Sequence, residues 1–142
     1  LRGIRRYERR LRSLVLTAEI YGRLPVSHFM AERLEAHQRH ASLVANIAAS
    51  LLLRSPGILT GAVLFRAMVP YEPESPNGLA GTRVRLGAGR LDAIVPAANT
   101  ERLAHLLRQA GAEVTLDWWN GGHSLEAEEI SQARRWLAQT GL

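Results

Sequence analysis

The sequence predicts an α/β protein in which a parallel β-sheet is covered by helices. From residue 41 onward the patterns alternate in the order helix, strand, loop, strand, helix, strand, helix. The strand segments are short apolar or alternating runs, and glycine or proline follows each of them closely. Strands that alternate with helices are typical of a parallel sheet covered on its faces. The length of 142 residues fits a single domain.

The composition excludes several classes of protein. The chain contains no cysteine, which removes disulfides, thiolate metal sites and thiol nucleophiles. With 46% hydrophobic and 22% charged residues, it is typical of a globular protein and not of a disordered one. The longest apolar stretch, 41–53, is interrupted by polar residues and is too short to cross a bilayer. Residues 1–12 are rich in arginine and lead into no apolar leader core, so we expect a cytoplasmic protein.

The positive charge lies in the first part of the chain. Residues 1–40 hold nine arginines and four glutamates, which accounts for the whole net charge of +5. Residues 1–24 predict a basic amphipathic helix that ends or kinks at Pro25. This helix is either an arm for nucleic acid or anionic lipid, or a solvated surface helix. The second interpretation is favoured and nucleic acid is not an expected partner, because no groove-reading motif follows the helix.

The first two predicted elements of the sheet region are apolar. Residues 41–53 predict a helix rich in small residues, and its lack of a charged face indicates burial on most sides. Residues 58–69 contain the apolar run Gly61-Ala-Val-Leu-Phe65, which is typical of a buried strand and is followed by Pro70. A loop rich in proline and acidic residues occupies 71–81.

The remaining elements follow in the same way. Residues 83–88 and 113–119 predict strands, and residues 99–110 predict a helix capped by Asn99 or Thr100 and stopped by Gly111. Ser124 is the predicted cap of the last helix. The first turns of that helix place Glu126, Glu128 and Glu129 where the helix dipole favours anions, and its apolar face contains Ile130, Ala133 and Leu137.

Two loops at the predicted carboxyl ends of strands carry residues suited to acid–base chemistry. In parallel sheets, sites lie at this edge, which here means the loops after Val69, Ala88 and Trp119. Asp92 follows the second strand and His123 the third. A carboxylate that orients a histidine is two-thirds of a hydrolase triad. Taken singly, Asp92 is better explained as a loop-capping residue and His123 as a surface residue beside a helix start. Their joint placement after two predicted strands favours a catalytic pair.

Residues 45–142 resemble the C-terminal half of α/β-hydrolases of the small carboxylesterase/phospholipase branch, which is dienelactone-hydrolase-like and close to bacterial hydrolases of quinone and aromatic stress. The matching stretches are Ala45-Asn-Ile-Ala-Ala-Ser50, Gly61-Ala-Val-Leu-Phe-Arg-Ala-Met-Val-Pro70, Ala88-Gly-Arg-Leu-Asp92-Ala-Ile-Val-Pro96, Asn99-Thr-Glu-Arg-Leu103 and Gly121-Gly-His123. The resemblance implies Asp92 as the triad acid, His123 as the general base, and ester hydrolysis through an acyl-serine without cofactor or metal. It aligns Ser42 with the nucleophile and Leu43 with the residue whose backbone N–H helps to form the oxyanion hole.

The nucleophile segment departs from the family pattern. The Gly-x-Ser-x-Gly turn of the family corresponds here to His40-Ala-Ser42-Leu-Val44, in which both glycines are replaced. No apolar strand precedes Ser42, because 30–40 is helix-like, and no early loop is identifiable for the second oxyanion donor. Loss of a nucleophile costs about 10⁶ in rate and loss of one oxyanion donor about 10² to 10³.

Two hypotheses follow from this departure. In the first, residues 1–40 come from an altered upstream reading frame or a truncated gene, joined to the C-terminal half of an α/β-hydrolase at 41–142. In the second, a shortened hydrolase has become a non-catalytic binding protein with a basic arm. A half-sheet with an uncovered edge predicts self-association.

Other residues that could carry chemistry have simpler interpretations. His37 and His40 lie three apart on a predicted helix, but no third metal ligand is evident, so no metal site is expected. Trp118 and Trp119 are expected to be strand residues, and the outward one could shape an acyl pocket. The expected partner is a small ester or thioester substrate.

Overall fold

The computed structural model describes Ser42 and residues 45–140. The predicted basic helix, the His37–His40 pair and Leu43 lie outside the described residues. Three strands and three helices follow in chain order within residues 45–140: α1 (45–54), β1 (Gly61–Phe65), β2 (Arg83–Gly89), α2 (Ala97–Gln109), β3 (Glu113–Trp119) and α3 (Ala127–Thr140).

The three strands form one parallel sheet in the order β1-β2-β3. Phe65 pairs with Gly87, and Gly87 pairs with Asp117, so the strands are in step across the sheet. The prediction of a parallel sheet flanked by helices is therefore confirmed. Because all strands run the same way, the segments that follow β1, β2 and β3 all leave the sheet at one edge, which is where ligands bind in such sheets.

Alternating side chains of β1 point to opposite faces of the sheet, and both faces are covered. Ala62 and Leu64 belong to the larger core, which also takes buried residues from α1, β2 and α2. Val63 and Phe65 belong to a smaller cluster on the other side with Ala133 of α3. The larger core contains Leu52, Leu59, Leu79, Val84, Leu86, Leu103, Leu106 and Leu107, all of them almost completely buried.

Gly87 allows the ring of Phe65 to lie against the sheet. A Cβ atom built on Gly87 would be 2.5 Å from Cδ1 and 2.9 Å from Cε1 of Phe65. The two residues are register partners on β1 and β2, so an added methyl group would collide with the ring. The glycine in the middle of β2 is thus required by packing on the face that α3 covers.

Two asparagines fix the segment that follows β1. The backbone N–H of Met68 donates to Oδ1 of Asn46 on α1 over 2.7 Å, and that of Val69 donates to Oδ1 of Asn99 on α2 over 2.9 Å. Each asparagine satisfies a backbone donor that has left the sheet ladder. The loop after β1 is therefore anchored to two helices.

The predicted caps of α2 and α3 are wrong. The N–H groups of Asn99 and Thr100 both donate to the carbonyl of Pro96, so these residues are already inside a helix that begins at Ala97. The side chain of Asn99 is also taken by Val69. Ser124 lies three residues before α3, and its carbonyl accepts a hydrogen bond from Arg66.

A glutamate from within α3 takes over the role predicted for Ser124. Oε1 of Glu129 accepts the backbone N–H of Glu126 over 3.2 Å, just before α3 begins. The stop of α2 agrees with its prediction, since Gly111 adopts a φ of 100° directly after the cap residue Ala110.

No helix among the described residues is both long and apolar enough to cross a membrane.

Candidate active site

Asp92 lies three residues beyond β2, with its side chain only 1% exposed. Oδ1 accepts the backbone N–H groups of Ile94 and Val95 over 2.8 and 2.9 Å. Oδ2 lies 2.9 Å from Nδ1 of His123 and 4.0 Å from Nε of Arg66. Oδ1 thus holds together the loop that carries Asp92, and Oδ2 lies beside the imidazole of His123 and the guanidinium of Arg66.

The pKa of Asp92 lies below its ordinary value of 3.8. Burial by itself would raise this pKa, because it disfavours the charged form. The hydrogen bond from Val95, the one from His123 and the one from Ile94 each favour the carboxylate, and together they outweigh burial. Asp92 is therefore ionised at neutral pH and is a permanent acceptor for the imidazole.

His123 follows β3, and its side chain is 17% exposed. Because ionised Asp92 can only accept, Nδ1 of His123 carries the proton of the 2.9 Å hydrogen bond. In the neutral imidazole this leaves Nε2 as the free acceptor. The arrangement therefore holds the tautomer that a general base needs.

Backbone contacts join the Asp92 loop to the His123 loop. The N–H of Arg90 donates to the carbonyl of Trp119 over 2.8 Å, and the N–H of Leu91 donates to that of Gly121 over 3.0 Å. A Cβ atom on Gly89 would overlap the carbonyl oxygens of Gly121 and Gly122. The close approach that brings the two loops together is therefore made possible at Gly89.

Arg66 is the first residue after β1, and its side chain is 2% exposed. Nε donates to the carbonyl of Gly122 over 3.1 Å, and Nη2 donates to that of Ser124 over 3.0 Å. Nη1 and Nη2 also bind the two carboxylate oxygens of Glu129 over 2.7 and 2.6 Å. All three strand ends of the sheet thus contribute a side chain to one cluster, made of Arg66, Asp92, His123 and Glu129.

The sequence analysis did not identify Arg66 or the burial of Glu129. Both leave a trace in the sequence. Arg66 is a charged residue directly after the apolar run of β1, and Glu129 precedes Ala133 and Leu137 at intervals of four, on the face predicted to point inward. A charged residue of opposite sign in each of two apolar segments indicates a buried ion pair. The sequence pattern does not show that Arg66 and Glu129 pair with each other.

Known proteins resemble this chain in sequence and in fold. The Bacillus subtilis protein MhqD, which is named as a hydrolase, is 37% identical over 119 residues, and the match covers 78% of this chain. The structure of a Bacillus cereus carboxylesterase superposes with a TM-score of 0.65 at 34% identity and covers 77% of the chain. This chain is homologous to α/β-hydrolases of the carboxylesterase group. A Mesorhizobium loti carboxylesterase superposes with a TM-score of 0.61, also at 34% identity, over 66% of the chain.

The chain spans only part of these α/β-hydrolases. It covers 60% of MhqD, 59% of the Bacillus cereus carboxylesterase and 44% of the Mesorhizobium loti carboxylesterase. The match to MhqD takes in a larger share of the chain than residues 45–142 make up, so the similarity begins upstream of Ala45. No protein-family profile matches the chain.

Asp92 and His123 meet as predicted from the sequence, and Ser42 is the remaining residue of the predicted triad. Ser42 is helical and half-buried, and no hydrogen bond between it and His123 is formed within the described residues. Leu43 lies outside the described residues. The structure therefore brings together two of the three residues predicted for the triad.

Exposed or half-buried apolar side chains follow each of the three strands, as Asp92 and His123 do. Met68 follows β1 and is 37% exposed, and Leu91 and Ile94 on the Asp92 loop are 75% and 62% exposed. Trp118 is half-buried near the end of β3, and the guanidinium of Arg90 lies 5.5 Å from the centre of its ring. These side chains all lie in or next to segments at the carboxyl-terminal edge of the sheet, which is where ligands bind in such sheets.

No group of three His, Asp or Glu side chains in the described part of the chain is arranged to hold a metal ion. His105 on α2 is exposed.

Proposed function

We propose that this chain is a serine hydrolase of carboxylic esters, thioesters included, in which His123 is the general base and Asp92 holds its tautomer. The observation that carries the proposal is the 2.9 Å hydrogen bond between Nδ1 of His123 and an ionised, buried Asp92. Homology to carboxylesterases supports the reaction class. The apolar side chains at the same edge of the sheet suit an acyl group.

The chemistry assigned to the pair is proton transfer in both directions. Nε2 of His123 accepts the proton of the serine hydroxyl as its oxygen attacks the ester carbonyl, and then gives that proton to the leaving alcohol or thiol. A water molecule next loses a proton to Nε2 and attacks the acyl-serine, and the proton returns to the serine as the acid leaves. Asp92 stays ionised throughout and stabilises the imidazolium.

We propose Ser42 as the nucleophile and the backbone N–H of Leu43 as an oxyanion donor, as the resemblance implies. The competing function is that of a non-catalytic binding protein that keeps the hydrolase fold. One observation favours it: Ser42 is helical, and neither glycine of the Gly-x-Ser-x-Gly turn flanks it.

Hydrolysis of 4-nitrophenyl acetate by the full chain separates the two functions. The enzyme proposal predicts turnover that falls by at least ~10³ in both His123→Ala and Ser42→Ala. His105→Ala is the matched control, because it removes an exposed histidine from α2 and should leave the rate unchanged. Turnover that survives His123→Ala would remove the assignment of the general base.

A fluorophosphonate probe tests the nucleophile directly. Labelling of the wild-type chain that is absent in Ser42→Ala, with the labelled peptide containing Ser42, supports the assignment. Labelling at another serine would move the nucleophile elsewhere while leaving His123 and Asp92 in place. An unlabelled chain without turnover would favour the binding protein.

A further inference from the structure

The buried guanidinium of Arg66 has no role in the proton transfers described above. Its backbone is in the left-handed region, with a φ of 53°, a conformation that is unfavourable for a residue other than glycine. The backbone N–H of Arg66 still donates to the carbonyl of Gly87 over 2.9 Å, so the unusual conformation begins directly where the sheet ladder ends. A strained, buried, charged residue next to the candidate site therefore requires a function.

Two hydrogen bonds of Arg66 go to the residues that flank His123 in the sequence. Its two carbonyl acceptors belong to Gly122 and Ser124, the residues on either side of His123. Four N–H donations in all are made by one rigid planar group, which a lysine ammonium could not reproduce. The peptide that carries the imidazole is thus fixed at both ends by a single side chain.

Arg66 also lies beside the acceptor of the imidazole. Its Nε is 4.0 Å from Oδ2 of Asp92, the same oxygen that receives Nδ1 of His123. The other carboxylate against Arg66 is Glu129, whose side chain is completely buried and binds the guanidinium through both oxygens. Glu129 balances the charge of Arg66, so that Asp92 remains available to His123.

We propose that Arg66 is a positioning residue that holds the imidazole of His123 on Asp92, with Glu129 as its counter-ion. The importance of this role for turnover rests on the proposed function, but the geometry it describes does not. A merely structural ion pair would contribute to folding alone. A positioning residue must in addition control the tautomer and the solvent protection of His123.

A double substitution separates these two roles. Arg66→Met with Glu129→Met replaces a buried ion pair by apolar side chains of similar size, a change that commonly preserves stability. It removes the hydrogen bonds to Gly122 and Ser124 without leaving Glu129 buried and unpaired. It also removes the acceptor that Glu129 offers to the N–H of Glu126, which Arg66→Lys retains. The matched control is Arg135→Met with Glu128→Met, which removes an exposed ion pair of 2.8 Å that also involves α3.

The readout is imidazole ¹H–¹⁵N NMR of the full chain, with His123 assigned by its loss in His123→Asn. The wild-type chain should show one tautomer with a protected Nδ1–H. In the Arg66/Glu129 double variant we expect this proton to exchange at least ~10-fold faster, which corresponds to the loss of one hydrogen bond to a charged group. The control variant should match the wild type. Unchanged exchange in a folded Arg66/Glu129 variant would overturn the proposal.

Arg66→Lys provides rescue and a second test. The ammonium retains the charge opposite Glu129 but cannot reach both carbonyls together, so we expect exchange between the wild-type and double-variant rates. If circular dichroism shows that the double variant does not fold, Arg66→Lys decides: faster exchange supports the role of Arg66, and wild-type exchange contradicts it.

The ester assay distinguishes failure of this inference from failure of the proposed function. If the chain hydrolyses esters, the double variant should lose kcat with KM unchanged, because the bound ester does not contact Arg66. A wild-type chain without turnover would contradict the hydrolase proposal, while faster Nδ1–H exchange in the double variant would still support the positioning role.

Discussion

Among single residues, Asp92 has the most demanding environment, because a carboxylate with 1% exposure accepts three hydrogen bonds. Asp92→Asn keeps its size but places an amide where the imidazole donates. We expect the wrong tautomer of His123 and a loss of kcat/KM of about 10⁴ in the ester assay. Asp117→Asn removes an ion-paired carboxylate of β3 and should have little effect. Equal losses in both variants would contradict the assignment.

The lowered pKa of Asp92 also predicts a dependence of stability on pH. A carboxyl with a lower pKa in the folded state stabilises the fold fully above its unfolded pKa of 3.8, and this contribution is lost as the pH falls through the folded pKa. Thermal melts from pH 7 to pH 2 should therefore show a constant difference between wild type and Asp92→Asn above about pH 5, and a shrinking difference in acid. A difference that does not change with pH would show that ionised Asp92 contributes nothing to folding.

The close approach of backbone atoms to Gly89 predicts that no side chain is tolerated at this position. A methyl group there would lie 2.5 Å from the carbonyl oxygen of Gly121, and backbone cannot yield as a flexible side chain does. We expect Gly89→Ala to destabilise the fold by about 1–3 kcal/mol in urea unfolding and to separate His123 from Asp92. Gly122→Ala is the control, since its Cβ would make only an ordinary contact at 3.7 Å with Leu91. Equal stability of the two variants would contradict this account.

At the scale of elements, strands and helices were predicted within a few residues, but the residues that cap α2 and α3 were not. Apolar runs and glycine positions identify β1 and β2, whose residues are mostly buried, whereas β3 is only partly covered. Several residues near a helix start could serve as its cap by sequence alone, and contacts with other parts of the fold determine which one does. Asn99 is committed to Val69, and Glu129 of α3 bonds the N–H of Glu126, which displaces the cap predicted at Ser124.

The link between α2 and the loop after β1 predicts an effect of Asn99. Asn99→Ala leaves the N–H of Val69 without its acceptor, so we expect a loss of about 1 kcal/mol in the free energy of unfolding. Asn99→Asp retains an acceptor oxygen and adds a negative charge in the first turn of α2, where the dipole favours it, so it should remain near wild type. Chemical denaturation of both variants checks this, and an Asn99→Ala variant as stable as Asn99→Asp would argue against the anchor.

At the scale of the whole molecule, burial separates Leu64 from Leu91. Leu64 of β1 is completely buried in the larger core, whereas Leu91 beside the candidate site is 75% exposed. Leu64→Ala should cost about 2–5 kcal/mol in the free energy of unfolding, because it leaves a cavity between closely packed layers. Leu91→Ala should change stability by less than about 0.5 kcal/mol. Similar losses for both would mean that the Leu91 loop is covered in solution.

The sequence predicts the part of the candidate site that follows directly from the order of the strands, and not the part that depends on long buried side chains. Asp92 and His123 each follow a predicted strand, so topology alone predicts that they meet. Arg66 and Glu129 pair across 63 positions, on a residue after β1 and on a helix, and no rule of spacing joins them. Pairing in a parallel sheet determines where the strand ends lie. The position of a long buried side chain depends instead on how the helices and the sheet pack around it, which the sequence pattern does not specify.

The interlocked loops after β2 and β3 have a consequence for how such a site is inherited. Both members of the proton-handling pair, with the Gly89 contact and the backbone bonds that join them, lie in the contiguous stretch 83–123. An exchange of sequence upstream of Arg83 would leave these bonds in place, but it would replace β1, the anchors of the β1 loop and Arg66. A new nucleophile segment grafted upstream of Arg83 would therefore have to bring its own partner for the buried carboxylate of Glu129.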